Sequence, residues 1–141
     1  MKNRLLISVI LFCLIGCGGD YEHMRYTHMY EFIVENQFRD KTITIVPKSR
    51  SNMDFWITSN ENYIVIPNEK IIIGYKIVNN NDSKLKDIYK PDDVIEPFEL
   101  FIDDIKQEKN FSLRKFWNFS IKKKNESGEY LLIINEYNLK N

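Results

Sequence analysis

Apolar and polar residues alternate along most of this chain, and turn-forming residues break the alternation at roughly ten-residue intervals. A period of two puts every second side chain on one face of an extended strand, so each run reads as a strand with an inward face. From Tyr30 to Glu35 that face is Tyr30, Phe32 and Val34, and Asn36 to Asp40 reads as a turn. Thr42-Ile43-Thr44-Ile45 points Ile43 and Ile45 inward. Met53, Phe55 and Ile57 oppose Asp54, Trp56 and Thr58. Tyr63 to Ile66 ends at Pro67-Asn68, a good turn pair because proline presets φ and asparagine tolerates the left-handed region. Glu69 to Val78 forms a longer strand. A polar loop follows from Asn79 to Asp93, with a helical turn expected near Leu85 to Tyr89.

After Pro97, Phe98, Leu100 and Ile102 oppose Glu99, Phe101 and Asp103. Trp117, Phe119 and Ile121 oppose Asn118, Ser120 and Lys122, and Glu129 to Tyr137 returns as a last strand after the Asn125-to-Gly128 turn. Seven or eight such strands predict an all-β fold, an immunoglobulin-like β-sandwich. Its expected core is Ile43, Ile45, Phe55, Leu100, Ile102, Trp117, Phe119 and Leu132. Composition agrees: the chain has no alanine, the best helix former, and is rich in Ile, Tyr, Phe and Val. No repeated unit or heptad competes with this reading.

The amino terminus follows a different rule. Lys2 and Arg4 precede an apolar run from Leu5 to Ile15, about half of the ~20 residues a spanning helix needs. Leu14-Ile15-Gly16-Cys17 closes it, and Gly18-Gly19-Asp20 follows at once. This is the pattern of a cleaved secretory signal, and with Cys17 in place it resembles the lipobox leader of bacterial lipoproteins. The resemblance implies cleavage before Cys17, a thioether-linked diacylglycerol on its sulfur and an N-acyl chain, palmitate being the usual label. It divides the chain into a signal peptide (1–16), a lipidated tether (17–25) and a β-sandwich domain (26–141). The implied location is the outer membrane, facing the periplasm or the cell surface. Beyond the leader, Trp117-Asn118-Phe119 and Tyr130-Leu131-Leu132-Ile133-Ile134 resemble the closing strands of small single-domain immunoglobulin-like lipoproteins of Bacteroidota.

Cysteine and charge narrow the chemistry. Cys13 lies in the leader and Cys17 takes the lipid, so the mature domain has no thiol for a disulfide, a zinc site or a nucleophile. Loss of Lys2 and Arg4 leaves eighteen basic against twenty acidic side chains, without the basic excess of a nucleic-acid binder. The expectation is no nucleic-acid partner and no cofactor beyond the covalent lipid.

Candidate sites are few. His23-Met24 and His28-Met29 suit a soft metal, because imidazole and thioether together favour Cu(I). In an extended chain His23 and His28 fall on opposite faces, so an ordinary tether running into the first strand is the simpler account. Asp92 with Asp93, or Asp103 with Asp104, could do glycosidase work only if a cleft held them apart across a substrate. Adjacent acids are more often solvated turn residues, and no calcium-loop spacing surrounds them. Trp56 and Phe101 sit on polar faces and are the candidates for an aromatic platform that takes a sugar or a protein, unless both rings are covered. Lys122-Lys123-Lys124 reads as a solvated strand end that could touch anionic groups. The expectation is a non-catalytic binding or structural module, held to the membrane by its lipid, with a protein or glycan partner. The alternative is a small envelope glycan hydrolase using carboxylates. The two separate on whether acidic side chains converge in a pocket.

Overall fold

The computed structural model describes residues 26–48, 55–57, 61–80, 82–122 and 127–140. The leader and tether, Cys17 included, lie outside the described residues. Eight strands form: β1 (Tyr26–Asn36), β2 (Ile43–Pro47), β3 (Tyr63–Val65), β4 (Lys70–Asn80), β5 (Phe98–Ile102), β6 (Ile105–Lys106), β7 (Trp117–Lys122) and β8 (Ser127–Ile134). A 3₁₀ turn at Arg114–Phe116 leads into β7, and a short helix α1 (Glu136–Lys140) follows β8. The strands make two four-stranded sheets, in the orders β4-β1-β8-β7 and β3-β2-β5-β6. The fold is an all-β sandwich.

Alternation builds it. Tyr30, Phe32 and Val34 of β1, Ile43 and Ile45 of β2, Phe98, Leu100 and Ile102 of β5, and Tyr130, Leu132 and Ile134 of β8 are all buried in one core. Each such side chain contributes about 1.5–3 kcal/mol by leaving water. Phe32 is the hub: its ring stacks on Tyr130 at 5.0 Å, with Phe55 at 4.6 Å and Trp117 edge-on at 5.9 Å. Seven of the eight expected core residues are buried there. Phe119 is only partly buried and Ile121 is exposed, because β7 is an edge strand whose far end runs into solvent.

Neighbouring strands are antiparallel with one exception. β1 and β8 run parallel, from Met29 beside Ser127 to Asn36 beside Ile134. β1 therefore lies inside its sheet, between β4 and β8. In the ABED/CFG order of constant-type immunoglobulin domains the first strand is an edge instead. Asn36, fully buried, ties the sheets together. Its Nδ2 donates to the Lys41 and Val65 carbonyls, each at 2.8 Å, and its Oδ1 accepts from the Phe38 amide.

Local chemistry sets the turns. Asn68 sits at φ 62°, the left-handed position expected after Pro67. Asp103 and Asp104, at φ 46° and 65°, make the two-residue hairpin between β5 and β6. Both central residues of a type I′ turn need positive φ, which Asp tolerates better than most residues. Two glycines are needed for close approach. A Cβ at Gly128 would lie 2.4 Å from the Tyr30 ring, and one at Gly74 would lie 2.6 Å from the Phe55 carbonyl oxygen.

Four expectations are corrected. No helical turn forms at Leu85–Tyr89, because the Tyr130 hydroxyl takes the Ile88 amide and the Asp87 carboxylate the Tyr89 amide, where a helix would use backbone carbonyls. The last strand stops at Ile134, not Tyr137. There the Asn135 side chain accepts the Asn138 amide at 2.9 Å and its carbonyl accepts from Leu139, which starts α1. The first strand begins at Tyr26, four residues before the alternation becomes regular. β4 likewise continues past Val78 to Asn80, paired with Tyr26.

Candidate functional site

The residues singled out in the sequence do not converge. Trp56 is 5% exposed, and its ring packs against Phe55, Tyr63 and Phe98. The cause is a short pairing of its segment with β4: Trp56 bridges Gly74, the Tyr75 amide donates to the Phe55 carbonyl and the Ile57 amide to the Ile73 carbonyl. That pairing turns Trp56 inward beside Phe55 and leaves Ile57 exposed, the reverse of the expected face. Phe101 lies half-buried on β5, on the face opposite the buried Phe98, Leu100 and Ile102. Trp56 and Phe101 therefore form no common platform.

His28 lies on β1, within the expected sandwich domain. It is buried, and its Nε2 donates to the Asp82 carbonyl at 2.8 Å. Met29, the next residue on the strand, points to the opposite face and is exposed, so His28 and Met29 do not share a site. His23 and Met24 lie outside the described residues. Among the described residues no cluster of three metal-ligating side chains occurs.

The paired acids are turn residues. The Asp103 carboxylate accepts the Thr42 amide at 2.9 Å, and the Asp93 carboxylate accepts the Lys90 amide at 2.8 Å. Lys122 bridges Glu31 and Glu129 on the outer face of the sheet, and these carboxylates hold its ammonium above the usual lysine range. Lys123 and Lys124 lie outside the described residues.

The densest polar chemistry was not legible in the sequence. The Tyr130 hydroxyl donates to Asp87 and accepts the Ile88 amide at 2.8 Å. Arg114 grips the same carboxylate, with Nε at 3.0 Å from Oδ2 and Nη2 also in contact, while its Nη1 donates to the Trp117 carbonyl. The guanidinium lies 5.3 Å from the Tyr130 ring centre. Tyr30 donates to the Lys86 carbonyl at 2.9 Å. Burial pushes the Asp87 carboxyl up, but hydrogen bonds from Arg114, Tyr130 and the Tyr89 amide outweigh it and hold the group below its ordinary range. Burial raises Tyr30, Tyr89 and Tyr130; Tyr89, also facing Glu96 and Asp93, is pushed up to about 12. Every polar group at the heart of this cluster is spent on a neighbour. It pins the crossing segment between β4 and β5 onto the core, where Leu85 and Ile95 are buried. The one available signal was Arg114 itself, an arginine three residues before Trp117 in a chain with fifteen lysines and five arginines.

A second feature lies at the end of the sandwich where β1 and β8 both finish. The turn leaving β1 and the segment leaving β8 enclose a cleft of about 470 Å³. Gln37, Arg39 and Asp40 line one side, Asn135, Glu136 and Tyr137 the other, with buried Phe38 beneath. The Gln37 amide donates to the Ile134 carbonyl at 2.9 Å, and Asn135 Nδ2 donates to Gln37 Oε1 at 3.0 Å, which fixes the two walls to each other. A smaller cleft of about 250 Å³ lies beside it, between Phe116, Asn118 and Asn138.

Comparison with known proteins finds no counterpart: no family model matches the chain, and no curated protein or solved structure is significantly similar to it.

Proposed function

We propose that this chain is a lipid-anchored β-sandwich of the bacterial cell envelope that works as a non-catalytic binding or accessory module, held to the outer membrane by acyl chains on Cys17. The observation that carries the reading is the leader: a basic start, an apolar run too short to span a bilayer, and a small residue before Cys17. One acyl chain binds a membrane only marginally, whereas two or more anchor a protein stably.

The geometry supports the module half of the reading. Nine residue steps take the chain from Cys17 to Tyr26, a reach of at most about 32 Å when fully extended. The amino-terminal end of β1 thus stays close to the lipid. That end carries exposed Tyr26, Met29, Ile77 and Ile121, side chains suited to an interfacial setting. From there β1 runs eleven residues, about 35 Å, to the opposite end, where the larger cleft opens. Such an arrangement presents the cleft away from the membrane.

Metabolic labelling with an alkyne palmitate analogue tests the anchor. Wild-type chain should take the label and fractionate with membranes, and Cys17→Ser should lose both. Label on Cys17→Ser equal to wild type would end the lipoprotein reading.

A further inference from the structure

The cleft between Gln37 and Tyr137 pairs an aromatic face with polar groups of both kinds. Tyr137 is 73% exposed although it lies in a concavity rather than on a convex surface. Asn135 and Gln37 spend their amides on each other and on neighbours: Asn135 Oδ1 accepts the Asn138 amide and Gln37 Nε2 donates to Glu35. They set the walls. Arg39, Asp40 and Glu136 are different. Among the described residues their side chains make no hydrogen bond or ion pair within the protein. One guanidinium and two carboxylates therefore line the cleft with their polar atoms available.

This donor and acceptor set selects a ligand class. Carboxylates only accept hydrogen bonds and a guanidinium only donates them. A ligand satisfying both must offer donors as well as acceptors, and a hydroxyl supplies the two from a single atom. Two anions against one cation disfavour a polyanion, and the charged rim disfavours a purely apolar ligand. The tyrosine adds a flat apolar face with a polar tip. A sugar ring combines an apolar C–H face with a rim of hydroxyls. We infer that this cleft binds a neutral oligosaccharide, with the Tyr137 ring against a sugar face and Arg39, Asp40 and Glu136 taking its hydroxyls.

The parallel pairing of β1 and β8 is what creates the site. In an antiparallel pair the two strand ends would exit at opposite ends of the sheet. Here Asn36 and Ile134 are side by side, so both exits contribute walls. The inference rests on the reading of the chain as a binding module, and the location it needs follows from the anchor at the other end of β1.

The test is calorimetric titration of the full chain in detergent with neutral hexasaccharides: malto-, cello-, xylo-, manno- and chito-oligosaccharide. At least one should bind saturably. Tyr137→Ala should weaken it about tenfold or more, the loss typical of removing an aromatic anchor, while the melting temperature stays near wild type. Glu136→Gln, which keeps the shape, should weaken it several-fold. Absence of saturable binding to any of the five at millimolar sugar would overturn the inference, as would equal binding by Tyr137→Ala. Palmitate labelling of the same preparation separates the two readings. A labelled chain that binds no sugar refutes the site alone, and an unlabelled chain that binds refutes the anchor alone.

Discussion

Tyr130→Phe isolates the polar cluster from the packing around it. The substitution removes one oxygen and keeps the ring, so the stack on Phe32 at 5.0 Å and the contact with Phe119 at 5.1 Å persist. Without the hydroxyl, Asp87 loses a donor, the Ile88 amide loses its acceptor at 2.8 Å, and the longer Tyr89 contact at 3.4 Å goes too. Leaving a buried donor unsatisfied costs about 1–3 kcal/mol. Water reaches Asp87, which is partly exposed and keeps Arg114, so the carboxylate adds little. The expected cost is about 2 kcal/mol, a drop of roughly 6–12 °C in melting temperature for a domain of this size. Urea unfolding should show a lower midpoint at unchanged slope. Hydrogen exchange should show the Ile88 amide losing protection beyond the global change, while the Tyr89 amide, which keeps the Asp87 carboxylate at 3.1 Å, and the β2 and β5 amides follow the global stability. Wild-type stability, or unchanged protection at the Ile88 amide, would refute the claim that the hydroxyl pins the crossing segment.

Trp56→Ala should cost about 3–5 kcal/mol, as expected for emptying a buried aromatic site, and calorimetric melting checks it; a change under 1 kcal/mol would return Trp56 to the surface. Gly128→Ala drives a methyl into the Tyr30 ring and should cost about 1–3 kcal/mol, read by urea unfolding. Alkaline pH should unfold the domain early. Tyr89 ionises at about 12 in the fold against 10 when unfolded, and Tyr30 and Tyr130 are raised in the same sense. Their neutral forms cost nothing below pH 10, and stability falls as pH rises through 10 to 12. Tyrosinate absorbance should therefore rise cooperatively with loss of the β circular-dichroism signal. Acid acts through Asp87, whose lowered pKa contributes stability above the ordinary carboxylate range and loses it as pH falls below that range. Asp87→Asn should flatten the acid limb of a stability–pH curve.

Side-chain period is a local property, and that is why so much of the sandwich could be read in advance. Ile43, Ile45, Leu100, Ile102 and Leu132 face inward because alternate residues of any strand share a face, whatever lies opposite. Asn68 takes positive φ for reasons contained in Pro67-Asn68 itself. The acids at Asp103 and Asp104 are turn formers on equally local grounds. Trp56 failed because its facing depends on a bridge to Gly74, eighteen residues further along, and no period within its own segment encodes that pairing.

Sequence alone determined most of the strand content, the inward face of most strands and the turn at Pro67-Asn68, whereas the expected strand at Met53 to Thr58 is, among the described residues, only a bridge at Trp56 and β6 had no signal of its own. The features it determined depend on bonded neighbours or on composition over a short window. Only the tertiary structure decided that β1 pairs in parallel with β8, that Arg114 reaches Asp87 and Tyr130, and that Gln37 to Asp40 meet Asn135 to Tyr137 across a cleft. Those contacts join residues 27 to about 100 positions apart. They exist because two sheets bury a shared core, and the energy that selects them is spread over that whole core rather than written in any one segment.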